Sequence, residues 1–243
     1  MRLKKIWLHG SSLPKTCDRL ISALRQHKQL THTLAWQRTR LAMQKRNYQL
    51  AMYLSRFLSN KDKKSLTIWR ILRRHPEKIT RLSLIRSAGS KGSYIANDTL
   101  LQLAKRKPDQ AIKIWPRLKN KFSLSNDQKT EITKTIALYL ALNKSPQTNT
   151  WMEKIPHQEK GETLNSWQIR VALYQRQWQQ ALTLINTLSP QEYERNIWQY
   201  WKARSLEQIG RKNKSAKKFI AKSQNNVTIM AFLPAISSIN PII

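Results

Sequence analysis

The chain has one cysteine, Cys17, in 243 residues. That excludes an intrachain disulfide and any multi-cysteine metal site; Cys17 itself reads as an inert thiol packed like a small hydrophobe. Glycine is scarce, at 5, which argues against a turn-rich all-β fold. No apolar run nears the roughly 18 residues that a membrane span requires. Acid is also scarce: 13 Asp+Glu stand against 45 Lys+Arg, a formal charge of +32. Such an excess predicts attraction to a polyanion, be it nucleic acid, anionic lipid or acidic wall polymer, without choosing among them. Hydrophobic residues at 40 % are too many for a chain disordered by composition. The basic start at Lys4 and Lys5 leads into an apolar stretch that dies at His9-Gly10, far short of a secretory leader. Lys15-Thr16-Cys17 places a lysine where a lipoprotein signal needs small residues. The expectation is of a chain with no export address, cytoplasmic if translated as written.

Strand-like alternation of polar and apolar residues is also missing. Helical periodicity takes its place. Trp178, Ala181, Leu182, Ile185 and Leu188 form one apolar stripe at helical spacing, and Trp167, Val171 and Tyr174 do so on the helix before it. Ser189-Pro190 ends that unit, because proline cannot continue a helix interior. Ile132, Ile136 and Leu140 mark another helix, stopped before Ser145-Pro146. Proline at a first helical position predicts helices opening at His75-Pro76-Glu77 and Lys107-Pro108-Asp109, the second ended or kinked by Pro116. Ala88 to Ser93 reads as a loop. The expected class is all-α, with room for roughly ten or more helices of average length.

Three segments share one pattern. Trp36 leads to Arg40, a polar break at Lys45-Arg46-Asn47, and Ala51. Trp167 leads to Arg170, a break near Arg176-Gln177, and Ala181. Trp201 leads to Arg204, a break at Gly210, and Ala216 beside Phe219. The Arg-to-Ala offsets are eleven, eleven and twelve residues, the mark of a repeated helix hairpin. A hairpin of this kind cannot bury its apolar face alone, so antiparallel pairs are expected to stack into a superhelix. The nine tryptophans fit that picture as packing residues between hairpins; a sharper reading makes some of them carbohydrate-stacking platforms.

The run from Trp198 to Arg211 (WQYWKARSLEQIGR), with its lead-in Trp167-x-x-Arg170 through Trp178 and Leu188-Ser-Pro190, resembles the helix-hairpin signature of soluble lytic murein transglycosylases. Trp7 to Leu20 and Trp36-x-x-x-Arg40-Leu41-Ala42 resemble segments of that family's U-shaped superhelical domain. The resemblance implies a superhelical domain over 1–225, shortened at its N-terminus, followed by a linker-like tail over 226–243, where Met230-Ala-Phe-Leu-Pro-Ala235 resembles the link out of the superhelix. It also implies a periplasmic setting and peptidoglycan as partner. In that family a separate lysozyme-like domain uses one glutamate as acid and then base, cleaving the MurNAc–GlcNAc bond to a 1,6-anhydro product. Its catalytic segment begins Glu-Ser and continues to Gly-Leu-Met-Gln. None of the eight glutamates here is followed by serine, and Gly-Leu-Met-Gln does not occur. The expectation is therefore a non-catalytic scaffold, with no catalytic residue to carry over and a separately encoded catalytic domain as a possible partner.

No other constellation supplies chemistry. Glu192 and Glu194 point to different sides of a helix, and Glu159 and Glu162 flank Gly161 in an expected loop; all four read as solvated surface carboxylates. His9, His27, His32, His75 and His157 show no metal-ligand spacing, so neither metal nor cofactor is expected. Arg40, Arg170 and Arg204 read as repeat architecture, their stems packed on aromatics and heads bonded to helix ends; a polyanion-facing row is the functional reading. Basic clusters at Arg70-Arg73-Arg74, Lys105-Arg106-Lys107 and Arg211 to Lys222 read as solvated faces. Two other classes stay open: a basic helical-repeat protein binding nucleic acid, and a peptide-binding adaptor of tetratricopeptide type.

Overall fold

A computed structural model describes residues 6–210. Among them lie thirteen α-helices and four short 3-10 turns, and no strand, as the missing alternation led us to expect. The chain divides into two compact units. One comprises residues 1–103 and 114–124, the other residues 104–113 and 125–243.

In the first unit the helix His32–Gln44 folds back on Tyr48–Leu54. Ala35, Ala42 and Ala51 are wholly buried along that pair, and their small side chains let the two backbones approach. Trp7 is buried beside it, its indole N–H donating to the Leu34 carbonyl at 3.3 Å. The Arg38 guanidinium lies 4.3 Å from the Trp7 ring centroid, and burial lowers its pKa. Gly10 reads in the sequence only as the end of an apolar stretch. It is in fact a point of close approach, since a Cβ there would sit 2.6 Å from the Leu41 carbonyl oxygen. Backbone cannot move aside as a side-chain tip can. Gly10→Ala is expected to destabilise the chain by about 1–3 kcal/mol through overpacking, read from the urea midpoint.

In the second unit Asn126–Leu142 packs on Thr148–Met152 and on His157–Tyr174, which pairs in turn with Trp178–Asn186. Asn196–Gln208 completes the stack. Ile132, Ile136 and Leu140 have no exposed surface, so the apolar spacing read there faces the interior. The stripe Ala181, Leu182, Ile185 and Leu188 is buried as well. Ala181, Ile185 and Leu188 meet Ile169, Ala172, Leu173, Trp198, Tyr200 and Trp201 in one core cluster.

The hairpin breaks share a backbone device. Arg46, Arg176 and Gly210 have φ of 59°, 57° and 78°, and each lies six residues after its repeat arginine. Lys28 and Lys144 adopt the same left-handed conformation, at 51° and 54°. In each of the four turns closed by a basic residue, the next N–H reaches back to a carbonyl of the last helical turn. These are Gln29 to Leu24, Asn47 to Ala42, Ser145 to Leu140 and Gln177 to Ala172, at 2.8–2.9 Å. This is the Schellman cap, which satisfies helix carbonyls that would otherwise lack donors. Glycine adopts that backbone without the Cβ penalty that arginine carries. Arg46→Gly, at an exposed turn, is accordingly expected to stabilise by about 0.5–1 kcal/mol. A lowered urea midpoint would mean that the cation's interaction with the helix C-terminus outweighs the strain.

Several local expectations change. Pro76 opens a 3-10 turn, Pro76–Thr80, and the α-helix starts only at Leu82. Ala88 to Ser93 is not a loop: Gly89–Lys91 is a 3-10 turn, and Gly92 already begins the helix to Arg106. Gly92 serves that tight junction because a Cβ would lie 2.7 Å from the Ile85 carbonyl oxygen. Pro108 opens a helix that closes at Leu118, two residues past Pro116. Gly161 makes a kink, φ 67° and ψ 170°, within His157–Tyr174, where a loop had been expected. The expected second helix of the last hairpin, with Ala216 and Phe219, lies outside the described residues, as does the 226–243 tail.

Candidate functional site

The repeat arginines occupy three different settings. Arg40 lies 5.2 Å from the Tyr94 ring centroid. Arg170 sits between two indoles, 5.1 Å from Trp167 and 5.7 Å from Trp198, and burial lowers its pKa. Arg204 pairs with Glu207 three residues on. Stacking on aromatics, expected for all three, holds for the first two, whereas a carboxylate one turn away holds the third.

The first unit closes its aromatic cluster with an internal ion pair. Asp98 takes the Trp69 indole N–H at 2.7 Å and the Arg73 guanidinium at 2.7 Å. Arg73 is only 4 % exposed, so the Arg70-Arg73-Arg74 cluster is not wholly a solvated face. The side chain of the middle arginine turns inward to meet a carboxylate that sequence spacing did not connect with it. Tyr94 packs edge-on against Trp69 at 5.2 Å. Its hydroxyl is pushed up to about 12 by burial, with Asp98 adding to the shift and Arg40 and Arg73 opposing it. The contacts of this cluster are internal to the unit.

A cleft is lined by Ala141, Leu142, Lys144, Trp167, Arg170, Val171 and Tyr174. Seven of the nine tryptophans are buried; Trp167 and Trp178 keep part of their surface. The apolar stripe of Trp167, Val171 and Tyr174 therefore divides: Val171 enters the core, while both aromatics remain half-exposed at the cleft. Lys144, the left-handed turn residue of the preceding hairpin, places its Nζ 4.6 Å from the Tyr174 ring centroid. Two cations held against aromatic faces thus border an apolar floor. Sequence reasoning singled out Trp167 and Arg170 but missed Lys144, which belongs to another hairpin. Its signal was the turn just before Ser145-Pro146.

No carboxylate is among the residues lining this cleft, so the carboxylate pair of glycoside hydrolysis is not found there. It is equipped to bind. The acidic residues considered from sequence lie elsewhere. Glu162 pairs with Arg195 and Glu159 with Lys134. Glu194 is exposed, as expected. Glu192 is not merely solvated: with Ser189 it forms a capping box at the helix Pro190–Tyr193, which satisfies two helix-end donors. Among the described residues no group of three His, Cys, Asp or Glu could hold a metal ion, and no helix is long and apolar enough to cross a membrane. The basic cluster from Arg211 to Lys222 lies outside the described residues.

Comparisons with known proteins place this geometry. The chain is 23 % identical to the soluble lytic murein transglycosylase of Escherichia coli strain K12 over 209 residues, covering 86 % of the chain and 32 % of that protein. It therefore spans about a third of the length of the curated relatives it matches. A crystal structure of an inactive mutant of the lytic transglycosylase Slt from Pseudomonas aeruginosa superposes with a TM-score of 0.75 at 25 % identity, over 90 % of this chain and 36 % of that one. The 70-kDa soluble lytic transglycosylase of Escherichia coli superposes with a TM-score of 0.69 at 23 % identity, over 97 % of this chain and 38 % of that one. The all-α fold is thus shared, and the resemblance read from the hairpin wording extends along most of the chain. Residues 1–80 also match the family model for cucumovirus coat protein. That match takes in a third of the chain, and its described part is helical. The 97 % superposition on the 70-kDa enzyme necessarily includes nearly all of the same residues.

Proposed function

We propose that this chain is the helical, peptidoglycan-engaging part of a soluble lytic transglycosylase and works as a non-catalytic scaffold. The observation that carries this reading is similarity along 86 % of the chain to a soluble lytic murein transglycosylase, with the same all-α fold superposing over 90 % of it. The cleft supports it by offering cations and aromatics without an acid. On this reading residues 1–225 form one helical domain and 226–243 a linker-like tail. The glutamate that cleaves the MurNAc–GlcNAc bond belongs to a further domain, and the protein works in the periplasm. The large positive charge then faces an anionic wall polymer.

The test uses the purified 243-residue chain. It is expected to co-sediment with isolated peptidoglycan sacculi at about 0.15 M salt and to leave a peptidoglycan-embedded gel intact. Clearing of the gel would overturn the non-catalytic assignment. Failure to bind sacculi, together with retention of RNA or DNA at the same salt, would replace it with the nucleic-acid reading, because electrostatic binding to nucleic acid needs only the basic surface.

A further inference from the structure

We infer that the cleft between Lys144 and Trp167 is a binding site for a carboxylate-bearing sugar ring, such as a muramic acid residue that carries no stem peptide; this rests on the proposed engagement of peptidoglycan and assigns it a place. Three features of the cleft converge. First, the cleft is built by two successive hairpins, with Ala141, Leu142 and Lys144 from one and Trp167, Arg170, Val171 and Tyr174 from the next. The two hairpins are joined at the same end, where the Asn149 side-chain amide donates to Gln175 and Gln177 at 3.4 and 3.3 Å.

Second, both cations are oriented before any ligand arrives. Arg170 is held between Trp167 and Trp198, and Lys144 against Tyr174. Contacts of this kind fix a long side chain and reduce the ordering cost on binding. Arg170 is also partly desolvated, which lowers its pKa. Third, the floor of Ala141, Leu142 and Val171 is apolar, with Leu142 42 % exposed. A sugar ring has an apolar C–H face suited to such a floor and to aromatic edges, whereas an extended polyphosphate has none. Apolar walls with a few convergent polar groups are the general form of a small-ligand site. The cations select the carboxylate, and the floor selects the ring.

N-acetylmuramic acid and N-acetylglucosamine form a matched pair of probes, since the first adds a lactyl carboxylate to the same ring. In the full chain labelled with 15N, the Trp167 indole N–H, assigned by its loss in Trp167→Phe, reports occupancy. N-acetylmuramic acid is expected to shift it saturably in the millimolar range typical of a single-ring contact, with N-acetylglucosamine at least about tenfold weaker. Lys144→Gln lies at an exposed position, where the fold tolerates change, and should weaken the first sugar about tenfold. Arg170→Lys keeps the charge but loses the planar stack and should weaken it too. Equal response to both sugars, or an unchanged affinity in Lys144→Gln, would overturn the assignment. Sacculus binding measured on the same variants separates the two readings. If sacculi still bind while the matched sugars do not differ, the scaffold role stands and this site falls.

Discussion

Asp98→Ala is expected to destabilise the chain by about 3–5 kcal/mol, the usual effect of breaking a buried ion pair by removing one partner. Asp98 holds two donors on different turns of one helix, the Trp69 indole and the Arg73 guanidinium, each at 2.7 Å. Removing it takes away the carboxylate that neutralises a guanidinium only 4 % exposed. It also strips the acceptor from a wholly buried tryptophan. Asp98→Asn keeps an acceptor for Trp69 but not the charge, and should fall between wild type and the alanine variant. Trp69→Phe, which removes the donor and part of the ring, separates the packing share. Urea midpoints at constant m-value measure all three. A loss under about 1 kcal/mol in Asp98→Ala would show that the pair roughly cancels its own desolvation.

Trp201→Ala should cost a similar amount, about 3–5 kcal/mol, through cavity formation. Trp201 is 5 % exposed and meets Tyr200 edge-on at 5.2 Å. It belongs to the same cluster as Ala181, Ile185 and Leu188, so the void would open at the meeting of two hairpins. Trp201→Phe, which leaves a smaller void, should lose roughly half as much. The decisive comparison is between these two variants: a graded series points to volume, and equal losses would overturn the cavity account.

Much of this was legible in the sequence. Helix-period stripes such as Ile132, Ile136 and Leu140 fall where expected because burial obeys the helical period whatever the neighbours are. The repeat spacing from Arg40, Arg170 and Arg204 was legible too, and so was the wording that links the chain to lytic transglycosylases. What stayed hidden depends on distant partners. Nothing local joins Asp98 to Arg73 across twenty-five residues, or Lys144 to Tyr174 across a hairpin. The turn at Ala88 to Ser93 was misread because its glycines look like flexibility, whereas Gly92 is needed for a close approach to Ile85. Four of the seven residues lining the cleft, Trp167, Arg170, Val171 and Tyr174, were marked in advance. The other three, Ala141, Leu142 and Lys144, come from the preceding hairpin and require the fold.

The left-handed caps carry a consequence for how such chains diverge. Each turn is closed by main-chain hydrogen bonds, so its length is constrained while the identity of its residue is not: arginine, lysine and glycine all fill the position. Substitutions can therefore accumulate at these corners, but a single insertion would throw the following helix out of phase with its neighbours. Divergence in this architecture runs through spelling and spares metre. A chain at 25 % identity can then retain a TM-score of 0.75.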